Sequence, residues 1–263
     1  ISPRLWGKER DNKLRIMRFK IDKKILRALQ SSIDVALWTI VADNDEDFDH
    51  KRNTYGYILT YVDDFLVVGP PKVRKAIEEE ISRVWKVRLE GRIKQFDKKN
   101  PDASITFLST VIRSHPTHGG FTMTQEAFTR NILKTWGMTN CRPAITPGVP
   151  TTVELPEEDD HQPDEIHRAQ KIAGSLIWLS TRTRPDITYA QSRISSMMTK
   201  APRAAVQEAL RVLRYLQGTK NYGLSFKKCS NSGDVIAYAD ANFSAKRSQS
   251  GALVKFCLLY TSP

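Results

Sequence analysis

Apolar residues recur along this chain at two spacings, and the spacing separates candidate helices from candidate strands. Leu14, Met17, Ile21, Ile25 and Leu29 fall near helical spacing, which predicts a basic amphipathic helix across about 12–30. The acidic run Asp43 to Asp49 reads as a solvated loop. Aromatic and β-branched residues crowd both sides of Asp63-Asp64 between Tyr55 and Gly69, which predicts a hairpin turning on that pair. Pro70-Pro71 then opens a helix with Val73, Ile77, Ile81 and Val84 on one face.

Ser104 to Ser114 reads as one strand, and His115 to Gly120 as the turn into a short partner at 121–123. A helix from about Gln125 to Trp136 stops at Gly137. Residues 151–165 hold seven acids and two prolines with little apolar content, which predicts a linker. Three helices follow at about 167–181, 186–199 and 202–217, the last opened by Pro202 and stopped by Gly218. Strands near 222–227 and 234–240 close the readable part, and no internal repeat is seen.

Composition narrows the picture. Of 263 residues, 40% are hydrophobic, enough for a core, and 41 Lys+Arg against 29 Asp+Glu give a net charge of +12. That surplus suggests a polyanionic partner or a merely basic surface. It is local: ten basic side chains stand in the first 27 residues, and ten more in 168–220 against Asp186 and Glu208 alone. No apolar run approaches a membrane span and no signal peptide opens the chain, so no membrane partner is expected. Cys141, Cys229 and Cys257 lie far apart with no metal-binding spacing, as in a reducing, intracellular compartment. His115 and His118 flank a turn and read as structural, and Trp6, Trp38, Trp85, Trp136 and Trp178 as core. The opening Ile1 is expected of an internal piece.

Asp63-Asp64 is the sharpest chemical feature. Two carboxylates at the tip of an apolar hairpin repel each other unless a cation offsets them. Mg²⁺, held by one or two carboxylates plus substrate phosphates, suits such a pair. Alone, the pair reads equally as an exposed turn, since Asp favours turns through its own hydrogen bonds.

The wider sequence around it separates the two. Tyr61-Val62-Asp63-Asp64 within Ile58–Val68 resembles the Tyr-x-Asp-Asp hairpin of reverse transcriptases, in its copia-type retrotransposon form. Ser2-Pro-Arg-Leu-Trp6, Phe107-Leu-Ser109, Thr124-Gln-Glu-Ala-Phe128 and Gly137-Met138 resemble other landmarks of that family, in its order. So do Cys141-Arg-Pro143, Thr146-Pro147, Gly174–Trp178, Thr183-Arg-Pro-Asp-Ile187 and Val212–Thr219. Tyr238-Ala-Asp-Ala-Asn242 with Arg247–Gly251 is similar to the start of the family's RNase H domain.

The resemblance implies an α+β fold: a partial reverse-transcriptase palm with thumb, a helical connection and the first strands of an RNase H-like domain. Its divisions fall at 1–150, an acidic linker 151–166, 167–231 and 232–263. It implies RNA-directed DNA synthesis with Mg²⁺ or Mn²⁺ held by Asp63 and Asp64, and Tyr61 near the primer end. Asp240 becomes the first carboxylate of an RNase H metal site; its other reading is a strand-end turn. Arg182, Arg184, Arg211 and Arg214, with Arg193 and Arg203, become candidate phosphate contacts. Partners implied are an RNA template, a DNA primer, RNA–DNA hybrid, deoxynucleotide triphosphates and the rest of the Pol polyprotein, with dimerisation compatible. The setting implied is intracellular, in a cytoplasmic virus-like particle or the nucleus.

Departures from the family pattern temper the catalytic expectation. The third polymerase carboxylate belongs to a strand upstream of Ser2, so this piece alone is expected not to polymerise. Ser109 replaces a Gly, and Asn242-Phe243 replace Asp-Trp. The chain stops at Pro263 before any further RNase H acid, so no nuclease activity is expected, and the tail after Phe256 reads as doubtful sequence. The competing reading is a non-catalytic nucleic-acid-binding relic or domesticated protein.

Overall fold

The computed structural model describes residues 2–43, 54–94, 100, 103–115, 120–148, 162–226, 235–243, 248–256 and 259–262. Most of the acidic run after Asp43, His118, Cys229, Cys257, Arg247 and the linker to residue 161 lie outside the described residues. The chain divides into two compact units, residues 1–89 and 90–263. Helices and antiparallel sheets make up both, which is the α+β class expected.

The first unit opens with α1 (Pro3–Ile16), where Pro3 takes a first-turn position that needs no N–H. Arg10 and Leu14 are buried on it, and Met17, the extended residue that caps it, is buried beside them. Five strands follow as a meander: β1 (Arg18–Ile21), β2 (Lys24–Gln30), β3 (Leu37–Ala42), β4 (Gly56–Tyr61) and β5 (Asp64–Val68). The helix expected over 12–30 is therefore wrong beyond Ile16. Phe19, Leu26 and Ala28 are buried with strand alternation while Ile25 is exposed, so the two-residue period wins over the apparent helical one. Asp22, at φ 53°, turns the chain between the two strands.

Helix α2 (Pro71–Val84) starts at its proline and buries Val73, Ala76, Ile77 and Ile81, as its sequence predicts. These pack with Leu14 of α1 and its cap residue Met17 against Phe19, Leu26, Trp38, Ile40 and Ile58 of the sheet. Both helices thus cover one face of the sheet. Burying a side chain such as Ile77 contributes about 1.5–3 kcal/mol.

In the second unit, β6 (Ser104–Phe107), β7 (Thr110–Ser114) and β8 (Phe121–Thr124) are antiparallel neighbours. The single strand expected over 104–114 is a hairpin, folded at Leu108 and Ser109 with φ of 51° and 60°. Two consecutive positive-φ residues are the pattern of a tight hairpin turn, where Gly or Asn is usual. Neither stands there, so the turn left no sequence signal, and the absent Gly at 109 marks a turn rather than a close approach.

Helix α3 (Glu126–Thr135) is followed, after the undescribed stretch, by α4 (Pro163–Ser180), α5 (Thr188–Met197) and α6 (Pro202–Gly218). A 3₁₀ turn over Pro185–Ile187 leads into α5. Gln162 and Glu165 form a reciprocal capping box at the start of α4, so the expected linker ends by Gln162. The acidic stretch does not divide the core: Ile132 and Leu133 of α3 pack with Ala169, Ile172, Leu176, Val212 and Leu213. After α6, β9 (Gly223–Phe226) returns to pair with β8. Met123 runs so close that a Cβ on Gly223 would lie 2.1 Å from its carbonyl oxygen, so this crossing requires glycine. β12 (Leu259–Ser262) joins the outer side of β9, while β10 (Val235–Asn242) and β11 (Gln249–Phe256) form a separate two-stranded sheet. Among the described residues no helix is long and apolar enough to cross a membrane.

Candidate functional site

Strands β4 and β5 form the expected hairpin, with Tyr61 opposite Asp64 as the last pair. The turn itself is Val62-Asp63, one residue earlier than the Asp63-Asp64 turn expected from sequence, and Asp64 opens β5. Both carboxylates are exposed, and among the described residues neither has a hydrogen bond or ion pair. Two unpaired carboxylates offer only oxygen donors, the set a hard cation such as Mg²⁺ prefers. The pair fits such an ion as part of a site: among the described residues no cluster of three His, Cys, Asp or Glu exists to complete one.

Val62 has φ 48°. A β-branched residue at positive φ is an outlier, and such strain costs about 1–3 kcal/mol. Its carbonyl is held from two sides by α1: Trp6 Nε1 donates at 2.9 Å and Arg10 Nη1 at 2.8 Å. Arg10 is buried, and Asp11 fixes its guanidinium by accepting from Nε at 2.9 Å and Nη2 at 2.7 Å. Trp6 meets Trp85 edge-on at 6.1 Å, and Trp85 stacks at 5.6 Å on Phe65, the residue after Asp64. Trp6 and Arg10 escaped the sequence reading, which set Trp6 among core residues; their i,i+4 spacing on one helix face was the available signal.

Strand register sorts the hairpin's side chains. Tyr57, Tyr61, Asp64 and Val68 share one face, which pairing extends through Thr39 and Leu29 to Arg27 and Arg18. This is the face opposite α1 and α2. Tyr57, Tyr61 and Val68 are exposed on it. The sheet therefore offers an aromatic, partly basic surface with a carboxylate at one end.

Asp240 lies on β10, exposed and opposite Gly251 of β11. No second acid stands on either strand. Asp240 and the Asp63-Asp64 pair fall in different compact units.

The six arginines fare differently from one another. Arg184 is 2% exposed, so it cannot reach a phosphate; this corrects the reading that placed it at a nucleic-acid surface. Its Nη1 donates to the Thr219 carbonyl at 2.8 Å, its Nη2 to Thr219 Oγ1 at 2.8 Å, and its Nε and Nη2 to Asp186. The guanidinium also lies between the rings of Tyr215 and Tyr222, 5.5 and 5.6 Å from their centroids. Tyr215 donates to Asp186 at 2.8 Å, and burial, seconded by that hydrogen bond, raises its pKa above the ordinary tyrosine value.

Arg193 is likewise buried against Glu208, and Arg203 pairs with Glu165. Arg211 and Arg214 pin the segment 142–148 along α6, donating to the Gly148 carbonyl at 2.8 Å and the Arg142 carbonyl at 2.9 Å. Arg182 alone of the six makes no side-chain hydrogen bond or ion pair among the described residues; its guanidinium lies 4.5 Å over the half-buried Trp178 ring.

An α+β chain carrying this hairpin has relatives among transposon polyproteins. It is 27% identical over 248 residues, 94% of its length, to the retrovirus-related Pol polyprotein from transposon RE1 of Arabidopsis thaliana. It is 30% identical over 187 residues, 71% of its length, to that from transposon RE2 of the same plant. A third Arabidopsis relative, an uncharacterized mitochondrial protein, is 29% identical over 202 residues. The chain spans 14% of the RE1 polyprotein, 12% of that of RE2 and 77% of the mitochondrial protein. No family model and no solved structure matches it. The chain belongs to the retrovirus-related Pol polyproteins of copia-type transposons.

Proposed function

We propose that this chain is the part of a copia-type Pol polyprotein that runs from the reverse transcriptase into the opening of an RNase H domain. Asp63 and Asp64 then supply carboxylates to a Mg²⁺ site for RNA-templated DNA synthesis. One observation carries this reading: two exposed carboxylates without partners among the described residues, at the tip of a hairpin whose tyrosine-bearing face is opposite both helices.

When bound, the metal supplies activation of the primer hydroxyl and charge compensation for the departing pyrophosphate. The chain's own residues do the rest. Asp63 and Asp64 hold the ion at the sheet edge, and Tyr61, two and three residues away, offers its ring to the primer end. Tyr57 and Val68 continue that surface, and Arg18 and Arg27, which share Asp43 as an ion-pair partner at 2.8 and 3.9 Å, leave it one net positive charge for the backbone phosphates. Of the six candidate arginines, Arg182, over Trp178, is the one whose guanidinium has no hydrogen bond or ion pair among the described residues and is open to a phosphate.

The test is RNA-templated primer extension with Mg²⁺, run on this chain and on this chain joined to the polyprotein segment that precedes it in the relatives. The joined polypeptide is expected to extend the primer, and Asp63→Asn to lower the rate at least about 100-fold, a loss of roughly 3 kcal/mol or more. Because Asp63 is exposed, the melting temperature is expected to stay unchanged. Undiminished extension by Asp63→Asn overturns the assignment.

A further inference from the structure

We infer that Trp6 and Arg10 are positioning residues for the Asp63-Asp64 pair, acting through the Val62 carbonyl. The inference rests on the metal-binding reading above. A two-residue hairpin turn with positive φ at its first position favours glycine there, and this chain has valine. Left to local preferences, Val62 would return to negative φ, and Asp63 and the start of β5 would swing with it. What opposes that return comes from far away in sequence, 56 residues for Trp6 and 52 for Arg10.

Three features make this a built device rather than an incidental contact. The two donors stand one helical turn apart on α1, so one rigid element delivers both. Arg10 is buried and oriented by Asp11, whose other oxygen accepts from Gln30 of β2 at 3.4 Å. The Trp6–Trp85–Phe65 stack fixes the same helix against the residue that follows Asp64. The hairpin is thus gripped on both sides of the carboxylates, while the carboxylates themselves stay free for a cation. A charged ligand pair gains from such rigidity, because ordering it in advance removes that cost from metal binding.

The test uses the full 263-residue chain. Trp6→Phe keeps a ring against Trp85 and removes the N–H; Arg10→Met keeps a buried stem and removes the donor. Two readouts are followed: hydrogen exchange of peptides spanning 56–68, and Mn²⁺ binding from the loss of the free ion's electron paramagnetic resonance signal. Each variant is expected to speed exchange in 56–68 about tenfold, the scale of one lost hydrogen bond, and to weaken Mn²⁺ binding several-fold. Strands 24–30 and 37–42 are expected to keep their protection. In a Val62→Gly background, where no strain opposes the turn, either replacement is expected to change Mn²⁺ affinity less than about twofold.

Unchanged exchange in 56–68 overturns the inference. So does acceleration that spreads to 24–42, which would make Trp6 and Arg10 ordinary parts of the core. So does faster hairpin exchange with undiminished Mn²⁺ affinity. If the unaltered chain binds no Mn²⁺, the metal reading is what fails, and the grip on Val62 stands or falls on exchange alone.

Discussion

Replacing Arg184 by methionine removes a guanidinium that donates to the Thr219 carbonyl, the Thr219 hydroxyl and both oxygens of Asp186. Methionine fills much of the stem's volume, so cavity formation is minor and the loss is chiefly polar. Breaking a buried pair by deleting one partner costs about 3–5 kcal/mol, because the other charge is left without compensation. Asp186 is 28% exposed at its side chain and keeps the Tyr215 hydroxyl, so water and that bond recover part of this. The Thr219 carbonyl loses a charged donor, which adds about 1–3 kcal/mol where no water replaces it. A net loss of about 2–4 kcal/mol follows, read as the shift in urea midpoint at constant m-value. In a melt it amounts to about 2–4 °C per kcal/mol for a unit of this size. Fluorescence anisotropy with an RNA–DNA hybrid completes the assay: correctly folded Arg184→Met is expected to bind with an unchanged salt slope. A stability change under about 0.5 kcal/mol, with a salt slope reduced by about one ion, would refute the buried placement.

Two further substitutions probe the second unit. Gly223→Ala places a Cβ 2.1 Å from the Met123 carbonyl oxygen, so β9 must shift off β8. A loss of about 1–3 kcal/mol is expected in denaturant titration, and a neutral result would show that the strands do not cross so closely. Tyr215 has its pKa raised in the fold, so above the unfolded tyrosine pKa of about 10 the native state keeps a proton the unfolded state has lost. Its contribution is full below that pH and declines as pH climbs through the folded value; Tyr215→Phe should flatten the alkaline limb of stability, and an unaltered limb would contradict the assignment.

Much of the architecture was legible where one signal spoke alone. Pro71 with Val73, Ile77 and Ile81, and Pro202 with its apolar stripe, each combine a start signal with a single period, and α2 and α6 lie where these put them. Between 12 and 30 two periods overlap over too few residues. Leu14 and Met17 belong to a helix and its cap, while Phe19, Leu26 and Ala28 belong to strands. The hairpin at Leu108-Ser109 was invisible because neither residue type advertises positive φ. The carboxylate pair was legible as a motif; its support was not, since the grip of Trp6 and Arg10 on Val62 joins positions more than fifty residues apart. Arg184 was misplaced for the same reason: sequence shows a basic residue in a basic stretch, and its partner Thr219 lies 35 positions on.

The segment running from Thr139 to Gly148 is held to one side of α6 by Gln217, Arg214 and Arg211 in turn. Ile145, 95% exposed, lies between the carbonyl taken by Arg214 and the one taken by Arg211. A backbone cut there leaves each new end with an anchor of its own. The two pieces also stay joined through β8 with β9 and through α3 packed on α4 and α6. A protein nicked at this place would run as two bands under denaturing conditions and travel as one body in native buffer, its covalent continuity lost and its shape retained.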